Sequence, residues 1–316
     1  MTTQESASIE QRGRFAPSTT GRAHPGTFLA GLLCWLDARS RGAEVVLRLE
    51  DLDRERTKGG FVDDLRADLE WFGLDWDLSQ RQSDAAERHA EMMDGLVGEG
   101  RVYACDCSRA KIRSEGHRAP DDSYRYPGTC RSQRVRAGTW REESRTLRLE
   151  LLESPINLRD ESGATLVGDA AALYGDPILR RRDGAYAYHF ASVVDDADVG
   201  VGRVVRGRDL LPSTMLQAAL QRAFSFSTPH YRHHCLLLER RGEKLSKFHG
   251  AVDARALREQ YDAKSLCGLL AHFVGLAPPE TRCDPRELVS GFDWSRVSSE
   301  DVVLGWSPDE GLSVVT

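Results

Sequence analysis

The sequence has little lysine. Of its 43 basic residues only five are lysines, at 58, 111, 244, 247 and 264, so arginine is the default cation. Long apolar runs are missing too. None approaches the roughly 18 residues that cross a bilayer, which excludes a helical membrane protein and makes a membrane partner unexpected. The opening MTTQESASIEQ lacks the basic start and apolar centre of a secretory leader. Residues 1–12 therefore read as a loose tail, with the cytoplasm as the expected compartment. Cysteine is sparse and odd in number, seven in 316 residues, which argues against a disulfide framework and leaves metal binding or packing. A net charge of −6 argues against a protein that coats nucleic acid indiscriminately. No internal repeat or long low-complexity segment is present.

What is present is alternation. Arg14-Phe15-Ala16 opens an apolar strand that runs into the turn-rich PSTTGRAHPG. Phe28, Leu29, Leu32, Leu33 and Leu36 then recur at helical spacing. AEVVLRLED is nearly continuous in apolar character, as a buried parallel strand should be. GGFVDDLRADLEWFG and DAAERHAEMMDGLVGEG read as two more helices. Strand and helix in turn with short links predict a doubly wound α/β layer. The pattern breaks at VYACDCSR, and from there to about Gly175 short strands and turns are expected, with no clear helix. Regular character returns in YAYHFASVVDD, VGRVVRGRDL, LLPSTMLQAALQRAF and the strand HHCLLLE. The 69 residues after Lys247 read as short helices separated by Pro-rich links.

Three places could carry chemistry. The first is PSTTGRAHPGTF, at the carboxyl end of the first strand, where open α/β sheets bind ligands. Pro25 suits a first helical turn, which places His24 at a helix mouth whose free N–H groups favour an anion. Gly26 lets a ligand approach the backbone. The loop is neither a Walker phosphate loop nor a G-x-G-x-x-G loop. The second place is GEKLSKFHG, where Lys244 and Lys247 stand three apart. An ammonium on a flexible stem suits a loop that follows the shifting charge of a polyphosphate. The third is the set Cys105, Cys107 and Cys130, which suggests a structural zinc site with His117 as the chemist's choice of fourth ligand. RSQRVRAGTWREESRTLR, with six arginines against two glutamates, is either a solvated face or an RNA-backbone contact.

Together these residues resemble a family. RFAPSTTGRAHPG, VLRLEDLDRER, YHFASVVDDADVGVGRVVRGRDLL and KLSK, in this order and spacing over about residues 14–247, look like the catalytic core of class I glutamyl-tRNA synthetases. His24-Pro25-Gly26-Thr27 is similar to the family's HIGH signature, and Lys244 to Lys247 to its KMSKS signature. Thr19 departs from the family's usual proline, and Pro25 from its aliphatic or aromatic residue. The resemblance implies a Rossmann-type catalytic domain split by an insertion. Its halves would span 13–103 and 176–248, with a zinc-bearing, tRNA-contacting insertion at 104–175. A short helical region would follow at 249–316, without an anticodon-binding domain.

The resemblance also implies roles. ATP would be bound by His24, Gly26, Thr27 and Lys247 with Mg²⁺ on the nucleotide, and the leaving pyrophosphate stabilised by Lys247 supported by Lys244. L-glutamate would be bound by Arg14, Phe15, Ala16, Pro17, Ser18, Glu50, Tyr188 and Arg206. Glu50 would meet the ammonium, and the two arginines suit a second carboxylate. Ser192 stands where full-length relatives tend to have asparagine. For zinc the related short enzymes use a tyrosine four residues before the last cysteine, here Tyr126, beside Cys105, Cys107 and Cys130; His117 stays open. The few residues after the lysine loop point to the short glutamyl-queuosine tRNA(Asp) synthetases, which activate glutamate without tRNA and transfer it to queuosine in the anticodon loop of tRNA(Asp). A monomer is expected. The competing readings are a related enzyme with another acceptor, a small-molecule adenylyltransferase of the same superfamily, and a non-catalytic RNA-binding module.

Overall fold

The structure is a computed structural model that describes residues 12–57, 60–153, 155–239 and 252–315. Its packing divides into two compact units, one of residues 1–81, 201–209 and 230–316, the other of 82–200 and 210–229. Among the described residues no helix is long and apolar enough to cross a membrane.

The first unit is built on five parallel strands: β1 (Arg12–Phe15), β2 (Val45–Leu49), β3 (Leu78–Arg81), β4 (Val201–Gly207) and β5 (His230–His234). Their order across the sheet is β5-β4-β1-β2-β3, with every pairing parallel. The chain therefore winds to one side of β1 and then to the other, and the crevice beyond the carboxyl ends of β1 and β4 is where such sheets take ligands. The apolar run of β2 has the predicted cause, since all five of its residues are buried.

Helix α1 (Pro25–Ser40) carries Leu29, Leu32, Leu33 and Leu36 into the core, where Phe28 packs on Phe72 of α2 (Phe61–Phe72) with ring centroids 4.9 Å apart. Gly73 ends α2 at φ 98°, a left-handed conformation in which a side chain would be strained.

The same core takes in Leu266, Leu270 and Ala271 from the helix Ala263–Phe273, and Leu304 and Leu312 further on. Here the structure adds strands to a region expected as short helices with Pro-rich links. Val302–Ser307 and Gly311–Val314 are strands, the former parallel to Leu237–Glu239 and antiparallel to the latter. The two flank a tight Pro-Asp-Glu turn, and their short apolar runs carry no alternation from which to tell strand from helix.

The second unit has a separate core. Met93, Leu96 and Val97 of the helix Ala86–Gly98 meet Val102, Leu147, Leu149, Phe190, Val194, Leu216 and Ala219. This packing places the helices Ala86–Gly98, Tyr188–Asp198 and Leu211–Ala223 with the cysteine-bearing segment. Within that segment two short helices form, against expectation. Arg109–Glu115 is capped by the Ser108 side chain accepting from Lys111 N, and Ala170–Tyr174 by Asp169 accepting from Ala172 N. Each is held by one polar cap on too few residues to show an apolar period.

One carboxylate organises the first unit away from the ligand edge. Asp37 of α1, 3% exposed, accepts from Arg203 Nε of β4 at 2.7 Å, Arg41 Nη2 at 2.8 Å and Trp294 Nε1 at 2.6 Å. Asp37→Ala removes the buried carboxylate that Arg203, Arg41 and Trp294 share, and a loss of about 3 kcal/mol is expected in urea denaturation.

Candidate active site

Arg14 lies near the carboxyl end of β1, 4% exposed, with Nη1 donating to Val205 O of β4 at 3.3 Å. Beneath it the Cys34 thiol of α1 donates to Arg14 O at 3.0 Å, and burial pushes that thiol up to about 12, so it serves as a packing and hydrogen-bonding group. Phe15 packs on the core, and Ala16 leads into a segment that returns across the end of β2. There Glu50 N donates to Pro17 O at 3.1 Å, and Ser18 and Glu50 form a parallel bridge. Thr19, fully buried, donates to Glu50 O twice, from its amide at 3.1 Å and from Oγ1 at 3.0 Å. Proline has no amide hydrogen and no hydroxyl, so Thr19 supplies two hydrogen bonds that the family's usual residue cannot.

Glu50 itself stands one residue beyond β2, its side chain 14% exposed and its Oε1 3.2 Å from Nη2 of the fully buried Arg48. Arg206 occupies the sixth position of β4 and is 5% exposed. In the first unit, then, Arg14, Ser18, Glu50 and Arg206 share the carboxyl edge of adjacent strands. Tyr188 and the buried Ser192 belong to the second unit, on the helix Tyr188–Asp198. Lys244 and Lys247 lie outside the described residues.

At the mouth of α1 His24 is the N-cap residue and Pro25 the first helical one. Thr27 Oγ1 accepts from His24 N at 3.4 Å. A methyl group at position 26 would lie 3.0 Å from His24 Cε1 and 3.2 Å from Nδ1. Glycine is what lets the imidazole lie against the helix start, at the positive end of the helix dipole.

In the second unit the sulfurs of Cys105, Cys107 and Cys130 all lie within 4.8 Å of one another. Tyr126 Oη is 3.4 Å from Cys105 Sγ and 3.8 Å from Cys107 Sγ, and it accepts from Cys130 N at 2.9 Å. The separation of Cys107 and Cys130 sulfurs, 3.6 Å, matches the roughly 3.8 Å edge of a tetrahedron with zinc–sulfur bonds of about 2.3 Å. Three thiols and a phenol thus form a donor set able to hold zinc. His117 is exposed and outside this group. Burial raises the Tyr126 phenol well above its ordinary value. Burial also opposes ionisation of Cys130, but hydrogen bonds from Tyr126 and the Asp106 backbone outweigh it and hold that thiol low. Behind the phenol the Arg148 guanidinium lies 3.9 Å over the ring and donates to Asp176 O at 2.7 Å. Sequence reasoning missed Asp176, which accepts from Tyr103 Oη, both arms of Arg131 and Leu151 N.

The arginine run is engaged inside its own unit. Arg131 is held by Asp176, Arg134 by Glu150, Arg141 by Asp94 at 2.6 Å, and Arg145 by Glu143 at 2.6 Å. Arg148 is buried. Among the described residues the exposed Arg109, Arg113 and Arg136 have no carboxylate partner; Arg113 lies over Tyr124 at 5.3 Å. The sequence shows the charge but not the acids that meet it from other elements.

The family model described as tRNA synthetases class I (E and Q), catalytic domain, matches residues 10–298. A Glutamyl-Q tRNA(Asp) synthetase of Nitratidesulfovibrio vulgaris is 38% identical over 293 residues, 88% of this chain and 90% of that one. The protein of the same name from Deinococcus radiodurans is 42% identical over 255 residues, 79% of this chain and 84% of that one. Among solved structures, a glutamate tRNA ligase from Elizabethkingia meningosepticum in complex with its amino acid superposes with a TM-score of 0.73 at 25% identity. It covers 92% of this chain and 66% of that one.

The ion pairs around the arginine run leave a signature in acid. The hydrogen bond from Arg145 is the main cause that holds the Glu143 carboxyl at about 2, against an ordinary 4.5. A depressed carboxylate adds stability above its unfolded value and loses it as the pH falls towards the folded one. Between about pH 5 and pH 2 Glu143→Gln should therefore lose less stability than the wild type in urea titrations.

Proposed function

The chain belongs to the catalytic-domain family of class I tRNA synthetases for glutamate and glutamine, a family of ligases, and on that footing we propose that it activates L-glutamate with ATP, without tRNA, and passes the glutamyl group to queuosine in the anticodon loop of tRNA(Asp). In the first step a carboxylate oxygen of glutamate attacks the α-phosphorus of ATP, pyrophosphate leaves, and glutamyl-adenylate forms. In the second step AMP leaves as the glutamyl group moves to the modified base. The names of the relatives from N. vulgaris and D. radiodurans support the acceptor.

The observation that carries the activation step is the sharing of one sheet edge by Arg14, Glu50 and Arg206, beside the helix mouth that His24 caps. Two guanidinium groups and one carboxylate are the complement of a dicarboxylic amino acid with its ammonium. Arg14 and Arg206 are assigned to the carboxylates, with the segment Phe15-Ala16-Pro17-Ser18 forming the wall and Glu50 taking the ammonium. Tyr188 is the remaining residue assigned to glutamate. His24, with the amides near Gly26 and Thr27, takes the phosphates. Lys247, supported by Lys244, stabilises the charge that develops on pyrophosphate, and Mg²⁺ accompanies the nucleotide. Catalysis then rests on alignment and charge rather than on a covalent protein intermediate.

Cys105, Cys107, Tyr126 and Cys130 are assigned to a structural zinc ion, which would tie two chain segments of the second unit to one point. The surface of that unit is assigned to the anticodon arm. Exposed Arg109, Arg113 and Arg136 are the first candidates for phosphate contacts, acting on backbone and shape rather than base code.

The test is ATP–pyrophosphate exchange with no tRNA, followed by labelling of tRNA(Asp) with and without queuosine. Exchange should require glutamate, fall by about a hundredfold or more in Lys247→Ala, and be followed by labelling of the queuosine-bearing tRNA alone. Labelling of tRNA(Glu) at its 3′ end would remove the proposed acceptor while leaving activation in place. Purified enzyme should also carry about one zinc per chain by elemental analysis, and Cys130→Ser should lose it.

A further inference from the structure

We propose that Arg22 is a positioning residue for His24, bracing the turn before α1 so that the imidazole meets the phosphates in one setting; the proposal rests on the activation step assigned above. Arg22 stands two residues before His24 on the turn that joins β1 to α1, its side chain 18% exposed. Its Nη2 lies 2.8 Å from Asp64 Oδ2 of α2, and its Nε lies 3.8 Å from Asp253 Oδ2. Beside it the carbonyl of Ala23 accepts from Ala254 N at 2.7 Å. Among the described residues these are the polar contacts that residues 20–23 make with other elements of the first unit.

Asp253 caps the helix Ala254–Gln260, and its carboxylate divides between two tasks. Oδ1 accepts from Arg255 N at 2.9 Å and Ala256 N at 3.2 Å, while Oδ2 faces Arg22. One turn into that helix, Arg258 pairs with Asp68 of α2 at 2.9 Å and lies 4.7 Å over the Trp71 ring. Asp64 and Asp68 are four apart on α2 and so share a face. Each takes one arginine, the first from the turn that carries His24 and the second from the helix Ala254–Gln260. Helix α2 is thus a common support for two segments far apart in the chain.

Ion pairs as exposed as those of Arg22 add little to stability, because water screens them. What they fix is direction. A guanidinium fork met at Nη2 by one acid and at Nε by another opposes rotation of the turn, and Ala23, buried in the core, holds it down. A reacting group misplaced by about 1 Å can cost about a hundredfold in rate, so a weak brace can have a large kinetic effect.

The experiment measures tRNA-free, glutamate-dependent ATP–pyrophosphate exchange by the full chain and by Arg22→Met, Asp64→Asn and Asp253→Asn, with thermal unfolding of each. Arg22→Met keeps the stem and removes the fork. Its kcat/KM for ATP should fall by about tenfold or more, while its KM for glutamate stays within about twofold of wild type. Asparagine caps a helix about as well as aspartate, so Asp253→Asn removes the pairing charge and leaves the helix start intact. It and Asp64→Asn should each lower kcat/KM for ATP by about threefold, and neither should lower it further in the Arg22→Met background. A merely structural role would lower the midpoint of unfolding and leave exchange well below that midpoint unchanged. Such a result in Arg22→Met, or full additivity of the double variants, overturns this inference alone. Should Arg22→Met fail to fold, the two asparagine variants decide, and wild-type kcat/KM for ATP in both overturns the inference. A wild-type enzyme without glutamate-dependent exchange overturns the activation step on which it rests.

Discussion

Arg14 stands on the strand from which the sheet winds in both directions, and its guanidinium reaches the carbonyl of Val205 on the neighbouring strand. That position is set by backbone pairing: the parallel ladder sets Phe15 beside Leu47, and the bridge of Ser18 with Glu50 carries the pairing past the end of β2 whatever the side chains are. Charged groups then need only stand at the last positions of those strands to meet. The cost is the burial of cations, and the structure offsets it locally. Arg48 has Glu50 and Arg203 has Asp37.

The turn between β1 and α1 follows the same economy. Thr19 fastens the segment to the end of β2 by two bonds to one carbonyl, and Gly26 makes room for His24 against the helix start. A loop tied at one end and opened at the other seats His24 at the helix start without loosening the strand that carries Arg14. In the second unit the sulfur cluster is backed in a comparable way, by a stacked Arg148 and by Asp176, which gathers three segments on one buried carboxylate.

Much of this was readable in the chain. Continuous apolar runs such as AEVVLRLED predicted parallel strands, and α1 was legible from its leucine spacing and the proline at its start. The positions of Arg14, Glu50 and Arg206 at strand ends followed from the same alternation. Val302–Ser307 escaped because its parallel partner is 65 residues away at Leu237, and periodicity carries no information about partners. The helix Arg109–Glu115 escaped because it buries no residue fully and shows no apolar stripe. Asp176 escaped for another reason. Its importance lies in which donors it faces, and that is settled by pairing between segments far apart in the chain.

The arginines between 131 and 148 carry a consequence for how a polyanion would experience this surface. Each guanidinium that already rests on a carboxylate must leave that acid behind in order to meet a phosphate, and the abandoned acid gathers a cation from solution. Fewer ions are then set free overall than a tally of basic residues implies, and affinity should vary only gently with ionic strength. Such a face discriminates by whether a ligand can displace several acids at once in the right geometry, which loose electrostatic attraction alone would not achieve.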